Sequence, residues 1–224
     1  MTQIQKIYPT VRIGDETHMS TPRMTQKKLE RKKKIEAVMR IDIIESAIEL
    51  LLDQGTAKFT MDRVAACAGI AKGTVYLYFK NKDELIKGIV SHSFAPLEEN
   101  YQRIIDGDAD PREKLRQCIQ ASLEMTQSHK ALFKELQNSM FETKDEYMSD
   151  PDSWYWFSVK QFAGAFEEGV AQGLFKEMNT RKMSALFLDS INTLMSNRIF
   201  TEVKESIEED VDLMMDLYLN GILS

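Results

Sequence analysis

Cysteine, proline and glycine are all scarce in this 224-residue chain, at two, five and ten residues. Cys67 and Cys118 stand alone in helical patterns far apart in sequence. They offer no disulfide framework and no Cys-x-x-Cys pair, so a reducing, cytoplasmic setting is the simplest expectation. Few Pro and Gly, with many Leu, Met, Lys, Glu and Ala, favour helices. No stretch approaches the roughly 18 uninterrupted apolar residues of a membrane span. The opening MTQIQKIYPTVRIGDE lacks the apolar region and small-residue cleavage site of a secretory signal. Also missing are H-E-x-x-H, a nucleophile elbow and a dinucleotide fingerprint. Ala71-Lys72-Gly73-Thr74 reads Lys-Gly where a phosphate-binding loop ends Gly-Lys, and no strand leads into it. His18, His92 and His129 have no mutual metal-ligand spacing. No catalysis, metal or cofactor is expected, and no membrane partner.

What the chain does have is a hydrophobic content of 43%, enough for a real core. Its net charge of −6 conceals a split. Residues 1–82 carry 15 Lys/Arg against 9 Asp/Glu, and the remainder 14 against 26. A basic N-terminal part on an acidic body suggests that one end meets a polyanion.

Residues 1–24 show no sustained period and read as a flexible tail. A helix starts near Thr25 and runs to about Asp53, with Ile44, Ala47, Ile48 and Leu51 on one face and Gly55 just past its end. Its early part, KKLERKKK at 27–34, reads either as a helical extension near phosphate or as a solvated arm. Thr60 caps a second helix that buries Met61, Val64, Ala65 and Ala68. Gly69 permits a sharp turn and Ile70 plugs the gap. A third helix spans about 72–79, with Val75 and Phe79 inward. Asn81 and Glu84 cap a fourth that continues to about Ile105. Asp110-Pro111 opens a fifth, and four more follow to Gly221. The fold class is all-α, with about nine helices.

The segment 60–90 holds two short helices joined by a tight turn, and the second carries Lys, Thr and Tyr on a small-residue background. Such a helix fits the DNA major groove. Its spacing, G-x-x-x-G-x-x-Y-x-Y-F-x-x-K from Gly69 to Lys82, resembles the DNA-binding domain of the TetR family of bacterial repressors. The similarity extends through Ile43-Ile44 to Gly55, Thr60-Met61, Val64-Ala65 and Lys82-Asp83-Glu84-Leu85, about a quarter of the chain. Ala71 departs from it, since family members often have a capping Ser there. Loss of such a cap costs about 1 kcal/mol and removes one phosphate contact.

Position assigns roles. Lys72 can donate to a guanine edge or a phosphate, and Gly73 lets backbone approach closely. Thr74 and Tyr76 follow on the exposed side, where Tyr76 can meet a thymine methyl, and Leu77 also falls outward. The resemblance implies DNA contacts, mostly to phosphate, from Tyr76, Tyr78 and Lys82. Thr60 and Arg63 sit where the preceding helix meets the DNA backbone. For the tyrosines, packing with the hydroxyl in water is the competing expectation.

The resemblance further implies a homodimer reading a palindromic operator, with residues 25–90 as the DNA-binding domain and 91–224 as a helical effector-binding and dimerisation domain. Phe187, Ile191, Leu194, Met195, Val211, Met214, Met215 and Tyr218 are expected to divide between the dimer interface and the internal core. Phe94, Tyr101, Met125, Phe133, Met140, Phe141, Trp154, Phe157, Phe162 and Phe166 are the candidates for lining a site for a small hydrophobic or aromatic effector of unknown identity. The expected function is a ligand-responsive repressor. The alternative is an effector-independent DNA-binding protein whose helical body binds a protein partner.

Overall fold

The computed structural model describes residues 23–142, 149–151, 153–202 and 204–222, with side chains described between 26 and 136, 149 and 151, 153 and 202, and 204 and 220. Among them are nine α-helices and no β-strand element. They are α1 (Arg23–Gln54), α2 (Met61–Cys67), α3 (Lys72–Tyr78), α4 (Lys82–Ile105), α5 (Pro111–Ser128), α6 (Lys130–Glu142), α7 (Trp154–Ala171), α8 (Thr180–Phe200) and α9 (Ile207–Ile222), with a 3₁₀ turn at Thr56–Lys58. Two units are distinguished, one ending at Met39 and the other running from Arg40 to Ser224.

Local chemistry sets these boundaries. The Thr60 hydroxyl accepts the Arg63 N–H at 3.3 Å, opening α2. Asn81 accepts the Glu84 N–H at 2.8 Å to open α4. The Glu84 carboxylate reaches back to the Lys80 N–H, one residue earlier than in the standard capping box. Asp110 accepts from Arg112 and Glu113 ahead of Pro111, and Asn179 accepts from Lys182 at the start of α8. Gly55, Gly69 and Gly173 take φ of 70°, 66° and 70°. At Gly69 that conformation turns the chain within one residue, and a side chain there would be strained although the space is open.

In the unit from Arg40, α1 to α4 share a core of Ile43, Ile44, Ala47, Leu51, Phe59, Val64, Val75, Phe79, Leu85 and Ile89, each at most 2% exposed. Val75 and Phe79 face inward as their spacing predicts, and full burial of such side chains is worth about 1.5–3 kcal/mol each. Ala68 and Ile70 are only half-buried. In the remaining helices α5 is central, packing against α4, α6, α7, α8 and α9. That position explains why Leu115, Cys118, Ile119, Ser122 and Leu123 are sealed. Burial pushes the Cys118 thiol well above its ordinary range. Around α5 runs a chain of rings in which Tyr101 meets Phe162 at 5.1 Å, and Phe187 meets Phe162, Phe166 and Tyr218 at 5.2, 5.6 and 5.1 Å.

Candidate nucleic-acid interface

α2 and α3 are seven residues each and owe their stability to packing rather than length. Val64 and Ala65 from α2 and Val75 from α3 fix their inner faces. The turn is closed by the Ile70 N–H on the Ala65 carbonyl at 3.0 Å. With α3 held from inside, its other face points outward. Lys72, Gly73, Tyr76 and Leu77 are exposed, Leu77 at 82%, while Thr74 and Tyr78 are half-buried. Thr60, Arg63 and Lys82 are exposed as well. Thr60, however, spends its hydroxyl oxygen on capping α2, and Arg63 hydrogen-bonds Gln54. Ala71 in the α3 cap position supplies no side-chain acceptor, in line with the cost expected for that substitution.

Lys72 is not idle. Its Nζ lies 2.7 Å from Asp62 Oδ1 and 2.9 Å from Oδ2, with both side chains 60% exposed. The hydrogen bond to Asp62, and then its charge, raise the ammonium pKa. The same ammonium stands 5.9 Å over the Tyr76 ring, and that of Lys82 lies 5.5 Å over Phe59. Asp62 had no sequence signal, because the pairing forms only once the turn folds α3 back beside α2. Gly73 has ordinary helical backbone, and an added Cβ would meet nothing within 4 Å. Nothing inside the protein requires a glycine there.

The far end of α3 is clamped. Arg40 donates to the Tyr78 carbonyl at 2.6 Å and lies 4.0 Å above the Phe79 ring. Its other nitrogen is 4.0 Å from Glu84 at the start of α4. At Gly88 on α4 a Cβ would come within 2.9 Å of Phe79 and 3.4 Å of Ile44, so α4 rides close on the recognition unit. A second link runs to α6, where the Glu135 carboxylate accepts the Thr56 N–H at 3.0 Å. Neither clamp was foreseen from the residue pattern. Pro96 also interrupts α4, removing the N–H that would bond the His92 carbonyl.

Of the effector-site candidates, Phe94, Tyr101, Phe133, Phe162 and Phe166 are buried, and Met125, Trp154 and Phe157 half-buried. Met140 and Phe141 lie outside the described side chains. The structure brings three together: Phe94 stacks on Trp154 at 4.8 Å and contacts Phe133 at 5.3 Å. The Trp154 indole N–H is buried without a hydrogen-bond partner. Tyr101 and Phe162 form a separate cluster, and the Tyr101 hydroxyl is 2.5 Å from Ser122 Oγ. Lys114, buried beside α7, pairs with Glu168 at 2.7 Å. A 410 Å³ groove between α4 and α5 is open and of mixed polarity, lined by Asn100, Arg103, Ile104, Gln117, Ala121 and Glu124 among others, and includes none of these rings.

The interface candidates divide by burial. Phe187, Ile191, Val211 and Met214 are at most 3% exposed, and Met195 and Met215 less than a tenth, so these six pack inside the protomer. Leu194 and Tyr218 are half-buried. The large apolar side chains that α8 and α9 leave outside include Leu186, Leu213 and Leu217, each at least 60% exposed, and Phe200 at the end of α8, 39% exposed. α8 packs against α7 and α5, and α9 against α5, so the apolar residues of both are largely taken up inside the chain.

Among the described residues no helix is long and apolar enough to cross a membrane, and no group of His, Cys, Asp and Glu is placed to hold a metal ion. A sequence model described as "Bacterial regulatory proteins, tetR family" matches residues 43–89, the segment that holds α2, α3 and their flanking packing. The chain is 22% identical to the fatty acid metabolism regulator protein of Bacillus subtilis over 183 residues, 81% of this chain and 94% of that one. It is 26% identical to the HTH-type transcriptional repressor KstR2 of Mycolicibacterium smegmatis, covering 62% of this chain and 69% of that one. A solved TetR-family regulator from Pectobacterium atrosepticum shares the fold with a TM-score of 0.66 at 21% identity, over 85% of this chain and 96% of that one.

Proposed function

We propose that the chain, whose residues 43–89 match the model of the tetR family of bacterial regulatory proteins, is a ligand-responsive transcriptional repressor of that family that holds a palindromic operator as a dimer. The observation that carries this reading is the outward face of α3, with Lys72, Gly73, Tyr76 and Leu77 all presented to solvent on a helix fixed from behind by Val75 and Phe79. Lys72 exchanges Asp62 for a guanine edge or a phosphate, and the missing Cβ at Gly73 brings backbone against the duplex. Tyr76, Tyr78 and Lys82 hold phosphates and set the register. Two such helices about 34–36 Å apart read two half-sites. Leu186, Leu194, Leu213 and Leu217 form the apolar face that α8 and α9 offer to a second protomer.

Residues from about 91 onward serve as the effector body. The Phe94, Phe133 and Trp154 cluster is its best-supported wall, with the unpartnered indole N–H as a donor for an acceptor atom of the effector. The name of the Bacillus subtilis relative fits an apolar, lipid-derived molecule in such a site. An effector acts only by favouring one dimer geometry over another. α4, seated on Phe79 through Gly88, and α6, tied to Thr56 through Glu135, are the two routes by which the body moves the reading heads.

The reading is tested by selecting a duplex with the full chain from a random-sequence pool, then measuring effector affinity with and without that duplex. Linkage requires each ligand to weaken the other by the same factor. Selection of a palindrome and reciprocal weakening support the proposal; equal effector affinity in both cases defeats the release mechanism.

A further inference from the structure

The unit that ends at Met39 has a property that its own packing does not explain. From residue 26 to residue 36 every side chain of α1 is exposed. Within eight of these positions stand Lys27, Lys28, Arg31, Lys32, Lys33 and Lys34, against a single Glu30. Leu29, Ile35 and Val38 are 54–58% exposed, so the apolar side chains here stand in solvent as well.

Electrostatically the segment opposes itself. Lys27 and Arg31, Lys28 and Lys32, and Arg31 and Lys34 are helical neighbours of like sign. The cations also gather toward the positive end of the helix dipole, whose first turn contains no acidic residue. The only relief within the segment's described residues is an exposed Lys32–Glu36 pair at 3.6 Å. A helix this repulsive and this solvated is stabilised by a dense array of anions. At about 1.5 Å rise per residue the six cations span roughly 10 Å, and a duplex carries one phosphate per about 1.7 Å of its axis.

We infer that residues 27–34 form a second, sequence-independent DNA-binding element that neutralises duplex phosphates while α3 reads base edges. The inference rests on the DNA-binding reading above and adds a partner to a surface which that reading leaves unused. The element contributes affinity and on-rate but no discrimination, because a solvated row of ammonium groups meets every sequence alike. It also predicts a steeper salt dependence than the helix-turn-helix alone produces.

The test compares the full chain with a variant carrying Lys27→Gln, Lys28→Gln, Arg31→Gln, Lys32→Gln, Lys33→Gln and Lys34→Gln, and with the double variant Lys27→Gln/Arg31→Gln. Both are titrated from low to high KCl on the selected duplex and on a shuffled duplex of equal composition. The slope of log affinity against log salt should become shallower by about 0.9 for each phosphate contact removed, in a graded order across the two variants. Affinity at physiological salt should fall roughly tenfold or more, equally for both duplexes. Unchanged slopes with selective binding intact overturn the arm and leave the DNA-binding reading standing. A full chain that selects no sequence sinks that reading instead. Binding to phosphatidylglycerol vesicles that depends on residues 27–34, with DNA slopes unaltered, assigns the segment to a membrane surface and also overturns the inference. Circular dichroism of both variants separates lost contacts from lost folding.

Discussion

The two ends of the molecule spend their residues in opposite ways. Around α3 the functional side chains are outside, and their resting partners are other exposed groups, as with Lys72 on Asp62. In the body around α5 the large rings are inside and partnered by one another, with Phe187 touching three of them. Changes at the reading surface should therefore alter binding and spare stability, whereas changes in the body should do the reverse.

Phe187→Ala should give the largest effect of that second kind. It opens a cavity between α7, α8 and α9 and should cost about 3–5 kcal/mol in chemical denaturation. Next comes Gly88→Ala, which sits where the two regions meet. Its Cβ would stand 2.9 Å from Phe79, and overpacking of this sort costs about 1–3 kcal/mol. Because Phe79 ends the recognition helix, operator affinity should fall along with the melting temperature. A variant that loses stability but keeps full affinity would separate α4 from the reading head.

Gly73→Ala should split the two properties cleanly. An alanine in place of a helical glycine stabilises by about 0.5–1 kcal/mol, and the space beside it is empty in the free protein. Operator binding should nevertheless weaken if, as proposed, DNA backbone comes against Gly73, because the added methyl would stand in its way. A gain in both would show that nothing approaches closely there.

Glu98→Gln should leave operator binding alone and change only how stability depends on pH. Burial, and then the charge of Glu99, raise the Glu98 carboxyl pKa to about 7. A folded value above the unfolded one, 4.5, means that the unfolded chain gives up this proton first as pH rises. Stability should thus decline between about pH 4.5 and 7, and the Gln variant should decline less over the same window. Identical pH–stability profiles would show that the carboxyl is better solvated than its position implies.

These contrasts also explain what could be read from the sequence. The three-helix unit was legible because Met61, Val64, Ala65, Val75 and Phe79 lie inward at helical spacing, with capping residues at Thr60 and Asn81. The outward residues of α3 followed by subtraction. Contacts between elements were not legible. Asp62 on Lys72, Arg40 on Phe79 and Glu135 on Thr56 depend on turns whose geometry no periodicity encodes. Which members of the interface set lie inside was not legible for a related reason. Along α8 and α9 the apolar period marks the face packed against α5 and α7, so Phe187, Ile191, Val211 and Met214 lie inside and the isolated Leu186, Leu213 and Leu217 outside. Among the rings of the body, spacing likewise could not separate the Phe94, Phe133 and Trp154 cluster from Tyr101 and Phe162.

An outward recognition helix is tested most directly by the ratio of affinities for the selected and the shuffled duplex, measured at one fixed salt concentration for the unaltered chain, Lys72→Ala and Lys82→Ala. With Lys72 at base edges and Lys82 on phosphate, Lys72→Ala should lower that ratio by about tenfold or more, and Lys82→Ala should weaken both duplexes while leaving it unchanged. A ratio and affinities that survive both substitutions would contradict the placement of α3 in the groove.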